Sequence, residues 1–302
     1  MTKNKKVMYF NENSVVFLDG AFVKPNTANV GLYNQTMHYG NGVFEGIRAY
    51  DTEDGVRIFK AKEHYDRLQY SAKVMGIKLP YTSEELEQIT YRLLERNGLK
   101  DAYIRPLVYM GDNMTLLTND DVHVVIMVWE WGKYLGDNML KVMLSSYQRP
   151  NPKACHVEAK VVGHYTNSIL ATNEAKQKGF DEALLTDMNG FVAEGPGANF
   201  FIEKNGELVT APLGNILAGI TRATVLELAD ELEIKVEKRL FTPEEIYEAD
   251  AAFFCGTAAE VVGIKQFNDH LFSMDWEDTN SSLIQRKYKR RVAHNEYQNV
   301  FL

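Results

Sequence analysis

Residues 187–206 read DMNGFVAEGPGANFFIEKNG and contain two tight-turn signals in succession. Asn189-Gly190 and Asn205-Gly206 each lie between apolar runs, which is the strongest short-range indication of an antiparallel hairpin. Two consecutive hairpins differ from the regular strand–helix–strand alternation of a wholly parallel sheet. The pattern therefore predicts an α+β fold with mixed or antiparallel sheets.

Helices are expected on both sides of these hairpins. One should begin after His164 and stop at Gly179, a second should cover about residues 221–232, and Thr242-Pro243-Glu244-Glu245 reads as the capped start of a third. In the first half, a helix is predicted over residues 64–75, and Thr82 with Glu85 forms a capping box for the next one.

The strand candidates of the first half are rich in β-branched and aromatic residues. They are residues 15–18, 56–59, 102–110 and 122–131. Pro106 lacks an N–H group and predicts an edge or a bulge in the third of these strands. Residues 131–138 contain two glycines and no clear period, so we predict a smaller N-terminal domain over 1–134, a linker over 135–145 and a larger C-terminal domain over 146–302.

Bulk composition excludes several classes of protein. The 302 residues carry a formal net charge of -8, which argues against nucleic acid and anionic membranes as partners. No apolar run approaches the roughly 20 residues of a membrane span, and no apolar segment follows the first charged residues, so a cytoplasmic location is expected. Cys155 and Cys255 have no neighbouring ligand spacing and are expected to be unpaired thiols.

Common catalytic motifs are missing. Gly40-Asn41-Gly42 and Gly195-Pro196-Gly197 do not complete GxGxxG, and neither GxxxxGK nor GxSxG occurs. The seven histidines form no HExxH or HxH, so no protein-built metal site is predicted.

Four short segments stand out for a different chemistry. Lys160 lies in EAKVVGHY, and Glu194 precedes a Gly-Pro-Gly turn. In LAGITR (217–222) a glycine precedes a predicted helix, whose N-terminus attracts anions. GTAAE (256–260) offers a hydroxyl and unhindered amides. Each has a plainer interpretation. Lys160 can be a surface lysine, Glu194 an exposed turn acid, and the other two a helix cap and a tight turn.

The order of these segments resembles a known family. AK...HY, EGPGANFF, GITR and GTAAE are similar to the class IV, fold-type-IV pyridoxal phosphate aminotransferases. HYGNGVFEGIRAY (38–50), EHYDRL (63–68) and AYIRPL (102–107) resemble the branched-chain amino acid aminotransferases in particular. The resemblance implies a two-domain α+β fold like that of D-amino-acid aminotransferase, with the cofactor between the domains.

The resemblance also implies residue roles. Lys160 carries pyridoxal phosphate and shuttles the proton, Glu194 faces the pyridine nitrogen and Tyr165 the phenolic oxygen, while Arg67, Ile220, Thr221 and Thr257 hold the phosphate. The resemblance also implies two sets of substrate residues. Those that recognise carboxylates are Tyr39, Arg105, Thr257 and Ala258. Those that line an apolar pocket are Phe44, Tyr103, Trp131 and Tyr134. Core packing is the alternative for the aromatic residues, and Glu45 with Arg48 can also be a structural ion pair.

The expected activity is amino transfer between leucine, isoleucine or valine and 2-oxoglutarate. Alternatives that share the cofactor are a D-amino-acid transaminase, an (R)-amine transaminase and an aminodeoxychorismate lyase, and a non-catalytic binding protein is an alternative of another class. The resemblance further implies a homodimer or higher homo-oligomer. The preference among the three branched-chain amino acids and the direction of the reaction do not follow from the sequence.

Overall fold

The computed structural model describes residues 9–130 and 138–293. The chain forms two compact units that divide between residues 132 and 133, with Thr52–Asp54 grouped with the second unit. Residues 135–137 of the predicted linker lie outside the described residues, as do Trp131 and Tyr134. Residues 140–145, the last part of the predicted linker, form the start of a strand in the second unit.

The described part of the first unit contains a seven-stranded sheet and three α-helices. The strands are β1 (Val16–Leu18), β2 (Ala21–Val23), β3 (Gly42–Phe44), β4 (Ile47–Thr52), β5 (Gly55–Ile58), β6 (Ala102–Met110) and β7 (Val122–Trp129). The helices are α1 (Gln35–Tyr39), α2 (Ala61–Val74) and α3 (Ser83–Asn97), and Pro25–Thr27 form a 3-10 turn. The sheet order is β2-β1-β7-β6-β4-β5, and β3 also pairs with β6.

Helix α3 begins and ends where the sequence predicts. Thr82 accepts a hydrogen bond from Glu85 N, and the Glu85 carboxylate accepts one from Thr82 N, so the capping box is confirmed. Gly98 ends the helix with a left-handed φ of 62°. The apolar face of Leu86, Ile89 and Leu93 is buried.

The prediction that Pro106 marks an edge or a bulge is wrong. Strand β6 is central, and it pairs without interruption with β7, including Pro106 opposite Ile126. On its other side β6 pairs with β3 and then with β4, and Pro106 lies opposite the connection between these two strands. The Pro106 carbonyl accepts from Glu45 N at 2.9 Å, so it faces this connection. The backbone N and C=O of one strand residue face the same side, and the proline nitrogen therefore faces the connection too, where its lack of an N–H breaks no hydrogen bond of the β6–β7 pair.

The described part of the second unit contains a nine-stranded sheet and three α-helices. The strands are β8 (Leu140–Gln148), β9 (Glu182–Thr186), β10 (Val192–Glu194), β11 (Asn199–Lys204), β12 (Glu207–Thr210), β13 (Val236–Lys238), β14 (Ala251–Gly256), β15 (Glu260–Phe267) and β16 (His270–Leu271). The helices are α4 (Tyr165–Gln177), α5 (Ile220–Glu231) and α6 (Asn280–Ala293). Because β10 pairs with both β9 and β11, the strands β10-β9-β8-β15-β14-β11 close into a ring.

Both predicted hairpins are confirmed. Strands β9 and β10 pair antiparallel around Asn189-Gly190, and β11 and β12 pair antiparallel around Asn205-Gly206. Asn205 and Gly206 both have positive φ, 53° and 76°, as the two-residue turn that suits a twisted hairpin requires. The segment after Thr242 is shorter than a standard helix. It is a 3-10 helix over Pro243–Glu248, and at its start Thr242 N donates to the Glu245 carboxylate at 3.1 Å.

Candidate active site

Lys160 lies at the junction of an extended segment and α4. A 3-10 turn (Val162–His164) follows it and leads directly into α4, whose first residue is Tyr165. This connection brings the two side chains together, and Lys160 Nζ donates to Tyr165 Oη at 2.6 Å. Nζ also lies 5.1 Å from the centre of the Tyr165 ring. Lys160 is half-buried and has a specific partner, so it is not the surface lysine of the plainer interpretation.

Glu194 ends strand β10 and is only 4% exposed, which rules out an exposed turn acid. Its neighbour across the hairpin is Asn199, whose side-chain amide donates to Glu194 Oε2 at 2.9 Å. Oε1 accepts from Leu217 N at 3.1 Å and lies 3.0 Å from Arg149 Nε. The Arg149 contact is an ion pair without the alignment of a hydrogen bond.

Local backbone packing fixes the turn after Glu194. Gly195 N donates to Ala198 O, and Ser168 Oγ on α4 donates to Pro196 O at 2.6 Å. A Cβ at residue 195 would lie 2.9 Å from Phe254 Cε1 and 3.3 Å from Ala183 O, so only glycine fits against the neighbouring strands. The carboxylate therefore projects from a rigid hairpin end.

Burial raises the pKa of Glu194 above its ordinary value, because a buried carboxylate loses its hydration. The Arg149 charge opposes this shift most strongly, followed by the hydrogen bond from Leu217 N and the charges of Lys160 and Arg222. The cofactor-binding residues predicted at positions 160 and 194 are thus close enough to interact electrostatically.

The N-terminus of α5 packs against the same hairpin. Its N-cap is Gly219, which has no side chain to cap the first-turn amides of Ile220 and Thr221. A Cβ at residue 219 would lie 1.9 Å from Asn199 Oδ1, and Asn199 also donates to Leu217 O at 3.0 Å. Asn199 therefore joins Glu194 to the start of α5.

Thr257 and Ala258 belong to the tight turn between β14 and β15. Strand β14 runs beside β11, with Cys255 opposite Asn199. A Cβ at Gly256 would lie 3.1 Å from Gly197 O, so the turn starts close to the loop after Glu194. The second unit thereby gathers Lys160, Tyr165, Glu194, the start of α5 and the 257–259 turn around one set of strand ends.

The first unit holds another group of predicted site residues. Glu45, between β3 and β4, is fully buried and accepts two hydrogen bonds from Arg67, at 2.7 Å from Nε and 2.9 Å from Nη2. His64 Nδ1, one turn before Arg67 on α2, lies 2.8 Å from Glu45 Oε2. Burial favours the neutral acid, but Arg67 and His64 outweigh it and hold the pKa of Glu45 far below its ordinary 4.5. Glu45 forms its ion pair with Arg67, where the sequence suggested Arg48.

Arg105 lies among aromatic rings on the same sheet. Its guanidinium carbon is 4.7 Å from the centre of the Phe44 ring and 5.3 Å from that of Tyr103, and Nη2 donates to Tyr103 Oη at 3.1 Å. A Cβ at Gly46 would lie 2.1 Å from Tyr103 Oη, so the glycine of EGIR makes room for this hydroxyl. Tyr39 is half-exposed, and its hydroxyl donates to Met114 O at 3.2 Å.

Three residues of these clusters were missed from the sequence: Arg149, Asn199 and His64. Arg149 directly follows β8, where an arginine between a strand and a proline carries no motif. Asn199 stands five residues after Glu194, and its role becomes visible only once the hairpin pairs the two positions. His64 precedes Arg67 by three residues, a helical spacing that could have placed both on one face.

Comparison with known proteins identifies the class of protein. The family model described as Amino-transferase class IV matches residues 42–267. The chain therefore belongs to the class IV aminotransferases.

Its relatives narrow the family further. The branched-chain-amino-acid aminotransferase of Pseudomonas aeruginosa is 43% identical over 262 residues, 85% of each chain. The crystal structure of the branched-chain aminotransferase from Thermoproteus uzoniensis with norvaline matches with a TM-score of 0.90 at 38% identity, covering 94% of this chain and 97% of that chain. The branched-chain amino acid aminotransferase from Thermobaculum terrenum, in its PLP-bound holo form, matches with a TM-score of 0.88 at 30% identity, covering 96% and 98%. Within class IV, the chain groups with the branched-chain-amino-acid aminotransferases, and the predicted α+β, fold-type-IV class is confirmed.

Proposed function

We propose that this protein transfers amino groups between L-leucine, L-isoleucine or L-valine and 2-oxoglutarate, using pyridoxal phosphate held on Lys160. The observation that carries the proposal is the pairing of Lys160 Nζ with Tyr165 Oη at 2.6 Å, in the same unit as the buried Glu194. An amine, a phenol, a buried carboxylate and a helix N-terminus without a side-chain cap are the groups that an aldehyde-bearing pyridine phosphate needs. The relatives named above make this the branched-chain activity.

Bound pyridoxal phosphate supplies an electron-withdrawing ring that stabilises negative charge on the substrate Cα. The chain's own residues do the rest. Lys160 would hold the cofactor through its amine and, when a substrate amine takes its place, would carry the proton that leaves or returns to the substrate Cα. Glu194 would face the pyridine nitrogen and keep its proton in place, and Tyr165 would donate to the phenolic oxygen.

The phosphate is assigned to the start of α5. First-turn amides and the positive end of a helix dipole favour an anion, and the amides of Ile220 and Thr221 stand at that position without a side-chain cap. Thr257 and Arg67 are proposed as further phosphate ligands. Two of the Arg67 nitrogens already bind Glu45, which orients the guanidinium and leaves it less free to swing.

The substrate side chain is assigned to the first unit. Phe44 and Tyr103 offer an apolar surface, and Arg105, stacked on both, can pair with the distal carboxylate of glutamate. Tyr39 and the turn at Thr257 and Ala258 are proposed to recognise carboxylates. Trp131 and Tyr134, which complete the predicted pocket, lie outside the described residues.

The test begins with purified protein and pyridoxal phosphate. We expect a visible absorption band from the lysine-bound cofactor that L-leucine bleaches and 2-oxoglutarate restores, and no such band in Lys160→Ala. A band unchanged by every L-branched donor but bleached by D-alanine would replace the proposal with a D-amino-acid transaminase. A protein that takes up no cofactor would be a binding protein without this catalysis.

We also propose that the protein is a homodimer or a higher homo-oligomer. The first unit exposes large apolar side chains on two neighbouring segments, and these residues, which we call the apolar rim, are Val30, Leu32, Tyr33, Met37, Tyr39, Met114, Leu116 and Leu117. Hydrogen bonds join the segments: Gln35 Nε2 donates to Thr115 O at 2.8 Å, and Asn113 N donates to Tyr33 O at 3.0 Å.

Large exposed apolar patches usually mark an interface with another molecule. The family resemblance implies a homo-oligomer, so we propose that a second copy of this chain packs against the apolar rim. Sedimentation of the purified protein should show a dimer or larger species at micromolar concentration. A fully active monomer would contradict the proposal.

A cytoplasmic location remains part of the proposal. Both cysteines of the chain are free thiols, and Cys255 is buried, as suits a reducing compartment. No α-helix in residues 9–130 or 138–293 has the length and apolar character to cross a bilayer. Cell fractionation that finds the protein outside the cytoplasm would overturn this part of the proposal.

A further inference from the structure

We infer that Arg149 is a positioning residue that fixes the Glu194 carboxylate in place and favours its anionic form, so that it can hold the proton of a pyridine ring. The inference deepens the proposed function and rests on it for the identity of the ring. It assigns a role to a residue that carries no recognisable sequence motif.

Two features place Arg149 rigidly. It directly follows β8, and its backbone N–H donates to Thr186 O on the neighbouring strand β9 at 2.8 Å. The side chain is 8% exposed, and its Nε lies 3.0 Å from Glu194 Oε1. An arginine buried to this extent needs a counter-charge, and Glu194 supplies it.

The contacts of Glu194 leave the carboxylate little freedom to rotate. Oε1 lies between Leu217 N and Arg149, while Oε2 accepts from Asn199. The Leu217 and Asn199 donors are neutral. Of these three contacts, only the one with Arg149 brings a full positive charge, and loss of that charge would leave a buried carboxylate whose neutral form is favoured.

Other titratable or charged groups face Glu194 from the surrounding elements. They are Lys160 before α4, Arg222 on α5 and Cys255 on β14. Arg222 Nη2 donates to Ala211 O at 2.9 Å, so part of its guanidinium is engaged elsewhere. Lys160 is assigned to the cofactor aldehyde. Burial raises the pKa of Glu194, and among the opposing influences Arg149 is the largest.

The protonation state of Glu194 can be measured in the apoprotein by infrared difference spectroscopy across a pH series. Glu194→Gln identifies the carboxyl band that belongs to this residue. In Arg149→Met we expect the midpoint of that band to move up by at least about one pH unit, the lower end of the effect of an adjacent opposite charge. Arg149→Lys keeps the charge and should stay closer to the parent midpoint.

An unchanged midpoint in Arg149→Met would overturn the inference. If that variant does not fold, the double variant Arg149→Met/Glu194→Gln decides, because it removes the uncompensated buried charge together with the arginine. Recovery of folding in the double variant supports the coupling, and failure of both variants assigns Arg149 a packing role instead. Because the readout needs no substrate, a shifted midpoint in a protein that does not transaminate L-leucine would refute the proposed function and leave the role of Arg149 intact.

Discussion

Glu45 is a fully buried acid whose charge is balanced by Arg67, and His64 Nδ1 contacts the same carboxylate at 2.8 Å. Breaking a buried ion pair from one side leaves the other charge uncompensated and costs about 3 kcal/mol or more. We therefore expect Glu45→Gln to lower the free energy of unfolding of the apoprotein by about 3 kcal/mol at pH 7 in a urea titration. The exposed Glu95 on α3 offers a matched control, and Glu95→Gln should change stability by less than about 0.5 kcal/mol.

The same residue predicts a pH dependence. Its pKa is lower in the folded chain than in the unfolded chain, so its stabilising contribution is complete above the ordinary value of 4.5 and is lost as the pH falls below it. The stability of the parent protein should drop between pH 5 and pH 3 more steeply than that of Glu45→Gln. Equal slopes in parallel urea titrations would show that Glu45 is not held as an ion pair.

Gly219 carries a different constraint, which is space for a neighbour. A Cβ at this position would lie 1.9 Å from Asn199 Oδ1, so Gly219→Ala must displace the amide that binds Glu194. We expect Gly219→Ala to weaken pyridoxal phosphate binding by at least about tenfold, equivalent to about 1.4 kcal/mol, in an absorbance titration. Gly197→Ala is the control, because nothing lies within 4 Å of a Cβ there. Equal affinities for the two variants would remove Asn199 from the cofactor site.

At the scale of elements, the start of α6 depends on a carboxylate from another strand. Glu203 on β11 is buried and accepts from Asn280 N at 3.0 Å, Ser281 N at 2.7 Å and Ser281 Oγ at 2.6 Å. Loss of such a charged acceptor leaves buried amides unsatisfied, at about 2 kcal/mol or more. Glu203→Ala should therefore destabilise the protein by about 2 kcal/mol and increase hydrogen exchange in the first turn of α6. Glu207→Ala on β12 removes only an exposed pair with Lys235 and should cost less than about 1 kcal/mol.

Elements with a local cause could be predicted from the sequence. The Asn-Gly turns, the Thr82–Glu85 capping box and the termini of α4 and α5 follow from residues within a few positions of each other. The strand position of Pro106 could not be predicted from the sequence. Whether its missing N–H breaks a sheet hydrogen bond depends on which strands pair on either side of it. The shape of the segment after Thr242 also depends on packing, since its capping residues are the same for a 3-10 and an α-helix.

At the scale of the whole molecule, the ring of strands explains what sequence reasoning missed in the site. Closure through β10 brings the end of β8, the end of β10 and the turn after β14 to neighbouring positions, although the chain separates them widely. Lys160, Tyr165 and Glu194 could be proposed because family motifs contain them. Arg149 joins them only through the pairing of β8 with β9 and of β9 with β10.

The apolar rim also acts at this scale, because it predicts the assembly of complete chains. Leu116 and Leu117 are 85% and 78% exposed, and a lysine at either site would place a charge where a second copy is proposed to pack. In the double variant Leu116→Lys/Leu117→Lys, the dissociation constant of the dimer measured by sedimentation should rise by at least about tenfold. Its circular dichroism spectrum should stay unchanged. Leu271, 64% exposed on β16 in the other unit, gives the control Leu271→Lys, which should sediment like the parent. Identical sedimentation of the rim variant and the parent would place the interface elsewhere, whereas monomers from both variants would mean that added charge alone dissociates the protein.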